Sequence, residues 1–589
     1  MTPVFRWVRP SSRCPLLLAL WLLVAPAGAT GEAVSLEEVR AVAAAGAPGL
    51  ALRLLDGAQP ARADDPAAWL AWERERLVVL ESRGAWGRLV ARVDGYGAGL
   101  PADFHGHAVL RAVRAELERG RGAEARRRLR ALLWSAPRPA AAEEVRRLVI
   151  ESYVVDGEAA DAFKALLRHR LDFGDGAEAW RRLAARVMVL AGQPDEALVT
   201  LEEVAGDEAA FLRLLAQIQA GRLDWEAGMA AVDEVATDHE LSAGRHYQLA
   251  VALADRAATP AQRVLALERA MTHRRLAGTA HLVAASPKAL WDAYGTHARI
   301  LSNVHQLLIG RFETWLELAA TVAEREPVAA RSLYAFVARG AEDEVWRRQG
   351  ETALVAALRA LPGGLEVLRQ LYLERDDGPE AARLPEAIRY ALVEQALAAG
   401  DIPLASEMAR DLEASPPGGD GFEWPLRRAR VLVLGGLPDE GARVLGELLA
   451  AHPALAPRDV DRINQVLFEL QAVGEPELAY GLFEDMRARV ADEQRRREIH
   501  YWMAESREAA GQPLAAARLY LRSAVLPGPR VMDPWSRTAR YRAAEALAEA
   551  GLNDDARNLY ETLLAVAAEP ERQALLRRAI RRLGLPGSR

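Results

Sequence analysis

Helix-forming runs fill the chain from Thr30 onward, with Ala, Leu, Glu and Arg recurring at spacings of three and four, the period of a helix with one buried face. Glycines punctuate these runs at a regular pitch. Gly511 is followed five residues later by Ala516 and nine later by Tyr520, and Gly551 is followed in the same way by Ala556 and Tyr560. Each such glycine can end a helix in a positive-φ residue. The alanine then lets the returning helix approach the first closely, and the ring one turn on fills the space between neighbouring hairpins. The spacing of five also joins Gly46 to Ala51, Gly120 to Ala125, Gly157 to Ala162, Gly192 to Ala197, Gly400 to Ala405, Gly436 to Gly441 and Gly474 to Ala479. With Gly84 included, the turns stand 38, 36, 37 and 35 residues apart in the first run, and 36, 38, 37 and 40 apart from Gly400 to Gly551. A constant pitch of this kind predicts stacked helical hairpins.

The pattern resembles the tetratricopeptide (TPR) repeat, which has a small residue, an Ala, an aromatic and a closing Pro at these relative positions. Pro137 and Pro453 fall twelve residues after Ala125 and Gly441, where such a unit closes its second helix. The resemblance implies an all-α chain, a right-handed α-solenoid of TPR-like antiparallel helical hairpins, acting by binding other proteins. Three segments are expected after the N-terminus: an N-terminal array over residues 30–238, an irregular helical-hairpin middle over 239–376, and a C-terminal array over 377–589. Gly221 is one more turn with an extra residue before Ala227. In the middle the Gly and Ala markers lose step. Pro260, Pro287, Pro327 and Pro362 mark helix starts or breaks there. Trp291 to Ala298 matches a first repeat helix that the segment through Gly310 and Trp315 does not continue. Arg375 to Pro379 is a polar break, and Ser415 to Gly421 is expected to protrude as a loop. Arg577 to Arg582 place cations at the C-terminal end of the last helix, where they suit its dipole and a polar cap on the array.

Residues 1–29 carry processing information. A basic segment with Arg6, Arg9 and Arg13 precedes the apolar run Pro15 to Val24 and the small-residue site Ala27 to Ala29, the form of an export signal with a mature start near Thr30. The run is too short to span a bilayer, and nothing downstream reads as a membrane span. Cys14, the one cysteine, precedes the apolar run, so it is not placed for lipid attachment, and the mature chain carries no thiol chemistry or disulfide. An exported, periplasmic bacterial protein is expected. Loss of three arginines takes the formal charge from −7 to −10, which argues against nucleic acid as a partner. Lys164 and Lys288 are the only lysines against 75 basic residues, a bias read as that of a G+C-rich genome.

No catalytic, cofactor or metal constellation is found. His239 and His246 are seven apart where a helical zinc motif needs four. His105 and His107 read as a solvated loop pair, Asp94 to Gly99 as a turn, and His297 and His305 as packed or surface groups. One surface feature stands out. Ten and six residues before the turn, three C-terminal repeats place the same pair on one helical stripe: Tyr390 and Glu394, Tyr501 and Glu505, Tyr541 and Glu545, with Glu508 extending the second. The stripe is either a set of solvated helix faces or an acidic, aromatic groove for a basic peptide segment or a stacked sugar. On the groove reading, truncating Tyr501 and Tyr541 leaves folding intact. The expected function is a non-enzymatic periplasmic scaffold for envelope proteins; the alternative is a polymer-handling factor of an exopolysaccharide or cell-wall assembly system.

Overall fold

A computed structural model describes residues 34–97, 99–134, 142–278, 281–301, 311–374, 384–416 and 419–583, and every regular element among them is helical. The residues read as an export signal, Pro137, His305, the segment through Gly310 and the polar break after Glu374 lie outside the described residues. No described helix is long and apolar enough to cross a membrane. The chain forms two compact units, residues 1–212 and 213–589.

In both units the antiparallel hairpin repeats. All eleven turn glycines named above have positive φ, from +62° at Gly84 to +92° at Gly474. Gly511 shows the local physics. Its N–H donates to the carbonyl of Glu508 at 3.0 Å, and the next N–H, of Gln512, reaches back to Arg507 O at 2.9 Å, closing the Glu493–Ala509 helix. This is the six-to-one bond that a left-handed residue makes possible. A Cβ at Gly511 would meet nothing within 4 Å, so the backbone angle, and not space, selects glycine. The returning helix then starts on Pro513, whose missing N–H would be unpartnered in the first turn in any case.

The marker five residues after each turn is there for contact. Ala51, Ala125, Ala162, Ala197, Ala405, Ala479, Ala516 and Ala556 are all fully buried. At Gly441 even a methyl is excluded: its Cβ would lie 2.6 Å from Val433 Cγ2 and 2.8 Å from Ala429 O, which explains the departure from Ala. Phe483, Tyr520 and Tyr560 are buried between hairpins as expected, with Tyr520 5.1 Å from the ring of Tyr501.

The middle keeps the hairpin and changes the way it is turned. Between Glu240–Asp255 and Pro260–His273 a capping box replaces glycine, with the Gln262 N–H donating to Thr259 Oγ1 and the Gln262 amide oxygen accepting from Thr259 N. Between Pro327–Gly340 and Glu344–Arg359, Asp343 accepts from Val345 N. Pro260, Pro287 and Pro327 each open a helix, and Pro362 lies in the turn before Gly364–Leu373. A buried ion pair binds this region together: Arg331 donates to both carboxylate oxygens of Glu268, at 2.7 and 2.6 Å, and Tyr294 OH donates to the same group at 2.7 Å.

One local expectation is corrected. His105 and His107 lie within the Ala102–Glu118 helix, because Phe104, Ala108 and Ala112 supply a four-residue buried stripe directly after Pro101; His107 Nε2 accepts from Arg111 Nε one turn on. His297 is packed as anticipated, with Nδ1 3.0 Å from Ser332 Oγ. The chain leaves its helix after Asp94, and the phenol of Tyr96 donates to Glu73, a fully buried carboxylate. The lysines are both exposed, Lys164 in the first unit and Lys288 in the second.

Candidate functional site

The stripe inferred from the repeats divides in two. Tyr501, Glu505, Glu508, Tyr541 and Glu545 come together in the last two hairpins around a residue that the repeat comparison passed over, Arg542. Its Nη2 donates to Glu508 Oε2 at 3.0 Å and its Nη1 to Glu545 Oε2 at 3.1 Å, while Tyr520 OH donates to Glu508 Oε2 at 2.6 Å. Burial, and then Glu505 beside it, push the Tyr501 phenol up to about 12, and burial raises Glu505. Burial opposes the charge of Arg542, but Tyr520 and the carboxylates around it raise its pKa. Tyr501 is not an open face. It is 9% exposed, with Trp502, Tyr520 and Trp535 rings 5.1, 5.1 and 5.2 Å away. The expectation that its truncation would spare folding is therefore corrected: the ring is core. Tyr541 is half-buried, 5.7 Å from Tyr560.

Tyr390 and Glu394 belong elsewhere. The Tyr390 ring stands edge-on to Trp424 at 4.8 Å, its hydroxyl donates to Ala414 O, and Glu394 pairs with Arg359 at 2.8 Å. Both residues stand beside a cleft of about 930 Å³ in the second unit, which Tyr390 and Arg359 line. Its walls come from the Pro327–Gly340, Glu344–Arg359 and Glu386–Ala398 helices. Pro416, in the loop expected to protrude, forms part of the rim.

Glu351 is the unusual group in this cleft. It is 4% exposed and forms no hydrogen bond or ion pair among the described residues. Its neighbour accounts for the burial. A Cβ on Gly350 would lie 2.7 Å from Ala338 N, so the two helices cross closely here and the next side chain is enclosed. Burial pushes the Glu351 carboxyl up to about 7, against the downward pull of Arg347 and Arg348. Arg348 is paired with Glu344 at 2.5 Å. Arg339 lies over the Trp291 ring, 5.3 Å from its centroid, and neither it nor Arg347 pairs with a carboxylate among the described residues. Four arginines and three glutamates line the cleft, and with Arg359 paired to Glu394 beside it the excess charge is positive while Glu351 is protonated.

A smaller cleft of about 300 Å³ in the first unit is lined by Arg114, Glu144 and Glu151 among others, and Arg114 there is paired with Glu144. Among the described residues no group of three or more His, Cys, Asp or Glu is placed to hold a metal. The sequence offered no sign of Glu351, because a lone glutamate in a charged helix is ordinary until its burial is known. Arg542 follows Tyr541 directly, but Trp502 occupies the equivalent place in the preceding repeat, so no recurrence marked it.

No family model and no curated protein matches the sequence. Among solved structures the chain is similar to the APC/C hetero-tetramer Cut9-Hcn1, at 11% identity and a TM-score of 0.25, covering 93% of this chain and 97% of that one. It is similar also to yeast Tom70, at 10% identity and a TM-score of 0.21, over 82% and 96% of the two chains. A circular tandem repeat protein matches at 15% identity and a TM-score of 0.11, over 93% and 95%. These similarities transfer no partner and no role; the TPR-like fold stands on the hairpins described above.

Proposed function

We propose that the chain is a non-enzymatic scaffold, exported to the periplasm of a bacterial cell, that binds another envelope protein. One observation supports this above the rest. In the second unit, a solvent-open cleft keeps Arg339 and Arg347 without ion pairs among the described residues, beside the buried carboxyl of Glu351. A surface of opposite charge can pair with such hydrated guanidiniums, which steers association and offsets the desolvation that binding costs. The export reading is supported by the basic, apolar and small-residue order of Met1 to Ala29.

The test has two arms. Fractionation followed by N-terminal sequencing is expected to recover a periplasmic chain beginning near Thr30. Affinity capture from envelope extract, run beside an oligosaccharide array, is expected to enrich a protein. Enrichment of glycans with no protein recovered would replace this reading with the polymer-handling alternative, and a full-length cytosolic chain would remove the export.

A further inference from the structure

The scaffold reading says nothing about what the cleft recognises, and the chemistry around Glu351 does. We propose that this cleft takes an acidic segment of a partner protein, whose carboxylates pair with the guanidiniums of Arg339 and Arg347 and reach the enclosed Glu351 carboxyl between them. The proposal rests on the scaffold reading for the partner being a protein.

Charge sets the sign of the ligand. Arg348 and Arg359 are already neutralised, by Glu344 and Glu394, whereas Arg339 and Arg347 form no such pair among the described residues; beside Glu351 the one other unpaired carboxylate lining the cleft is Glu386, so with Glu351 protonated the two guanidiniums are in excess. A basic segment would bring further cations against these two guanidiniums. An acidic one would pair with them, and arginine's planar fork matches a carboxylate in two hydrogen bonds.

Ring geometry decides against a sugar. Stacking needs an open aromatic face. The Trp291 face is covered by Arg339, its edge is met by Tyr372 at 5.6 Å, and both rings are under 10% exposed. Tyr390 stands edge-on to Trp424. What remains open to a ligand is guanidinium, carboxyl and small apolar surface from Val355, Ala356 and Pro385.

Protonation of Glu351 then controls the site. The titratable groups that line the cleft with it are Glu344, Arg347, Arg348 and Arg359 on its own helix, Arg339 from Pro327–Gly340, Tyr372 from Gly364–Leu373, and Glu386 and Tyr390 from Glu386–Ala398. A neutral carboxyl can donate to a ligand carboxylate; an ionised one repels it. The ligand's own carboxylates, with ordinary values near 4, stay ionised throughout the range in which Glu351 titrates, around pH 7. Affinity for an acidic segment therefore rises as pH falls from 8 to 6.

The experiment is titration of the intact protein with a capped, labelled oligoglutamate peptide at pH 6 and pH 8 and constant ionic strength, read by fluorescence anisotropy. Wild type should bind roughly tenfold tighter at pH 6, following the change in neutral Glu351. Glu351→Gln, near-isosteric and always neutral, should bind at pH 8 as wild type does at pH 6 and lose the pH dependence. Arg347→Ala should weaken binding at least tenfold at both pH values, with unchanged circular dichroism showing that it folds. Equal wild-type affinity at the two pH values, persistence of the pH dependence in Glu351→Gln, or binding of an oligouronate in preference to the peptide would overturn the proposal. A protein that still captures its partner but ignores oligoglutamate refutes the cleft alone. One that binds oligoglutamate and captures no protein refutes the scaffold reading.

Discussion

Glu351 makes its cost to folding measurable. Its carboxyl titrates near 4.5 when free and near 7 in the folded chain. The folded state therefore holds a proton that the unfolded state has released, and stability falls as pH rises from about 4.5 to 7, then levels. Glu351→Gln removes that loss. It should raise the melting temperature at pH 8, by up to roughly 3 kcal/mol of stability, and leave it nearly unchanged at pH 4. His246 acts in the other direction. Burial first, then His273 4.8 Å away and Arg269, with Asp233 opposing, depress its imidazole to about 4. It is neutral in both states above 6.5, and the unfolded state gains its proton first on acidification, so stability is lost as pH falls from 6.5 towards 4. His246→Gln should flatten that limb of the stability curve. Tyr501→Ala, which opens a cavity among three rings, should lower stability on the order of 3 kcal/mol by urea titration.

At the scale of the helix and its turn, two glycines of one hairpin do different work. Gly436 has φ +85° and open space around it, so Ala there costs about 1 kcal/mol of backbone strain. Gly441, in the Pro438–Ala451 helix, is ringed by Val433 and the Ala429 carbonyl. Gly441→Ala should lose more, about 1–3 kcal/mol, although alanine is the better helix former. Parallel urea titrations of the two variants check the order. The same contrast explains what could be read from the chain. A turn that needs positive φ is written as glycine, so the spacing of turns was legible from Gly46 to Gly551. A turn closed by a side chain, as at Thr259, leaves no glycine, and helices distant in sequence pack together there, as Trp291 does when it donates to Leu371 O, so the register fades although the hairpin persists. Glu351 and Arg542 were illegible for another reason: their surroundings are assembled by helices distant in sequence.

In a repeat array, stability is approximately a sum of hairpins and the contacts between successive ones. Local damage should therefore stay local. Gly441→Ala should speed amide exchange most in the flanking hairpins, between Glu423 and Ala488, and least in the first unit, residues 34–212. Uniform acceleration along the chain would show that the array unfolds as one cooperative body.

The scarcity of lysine has a practical side. Lys164 and Lys288 are exposed, and one lies in each compact unit. Aside from the chain's own amino terminus, an amine-reactive dye has these two anchoring points. A donor and acceptor pair attached to them forms a molecular ruler, reporting without any engineered cysteine how far apart the halves stand and whether a captured partner draws them together.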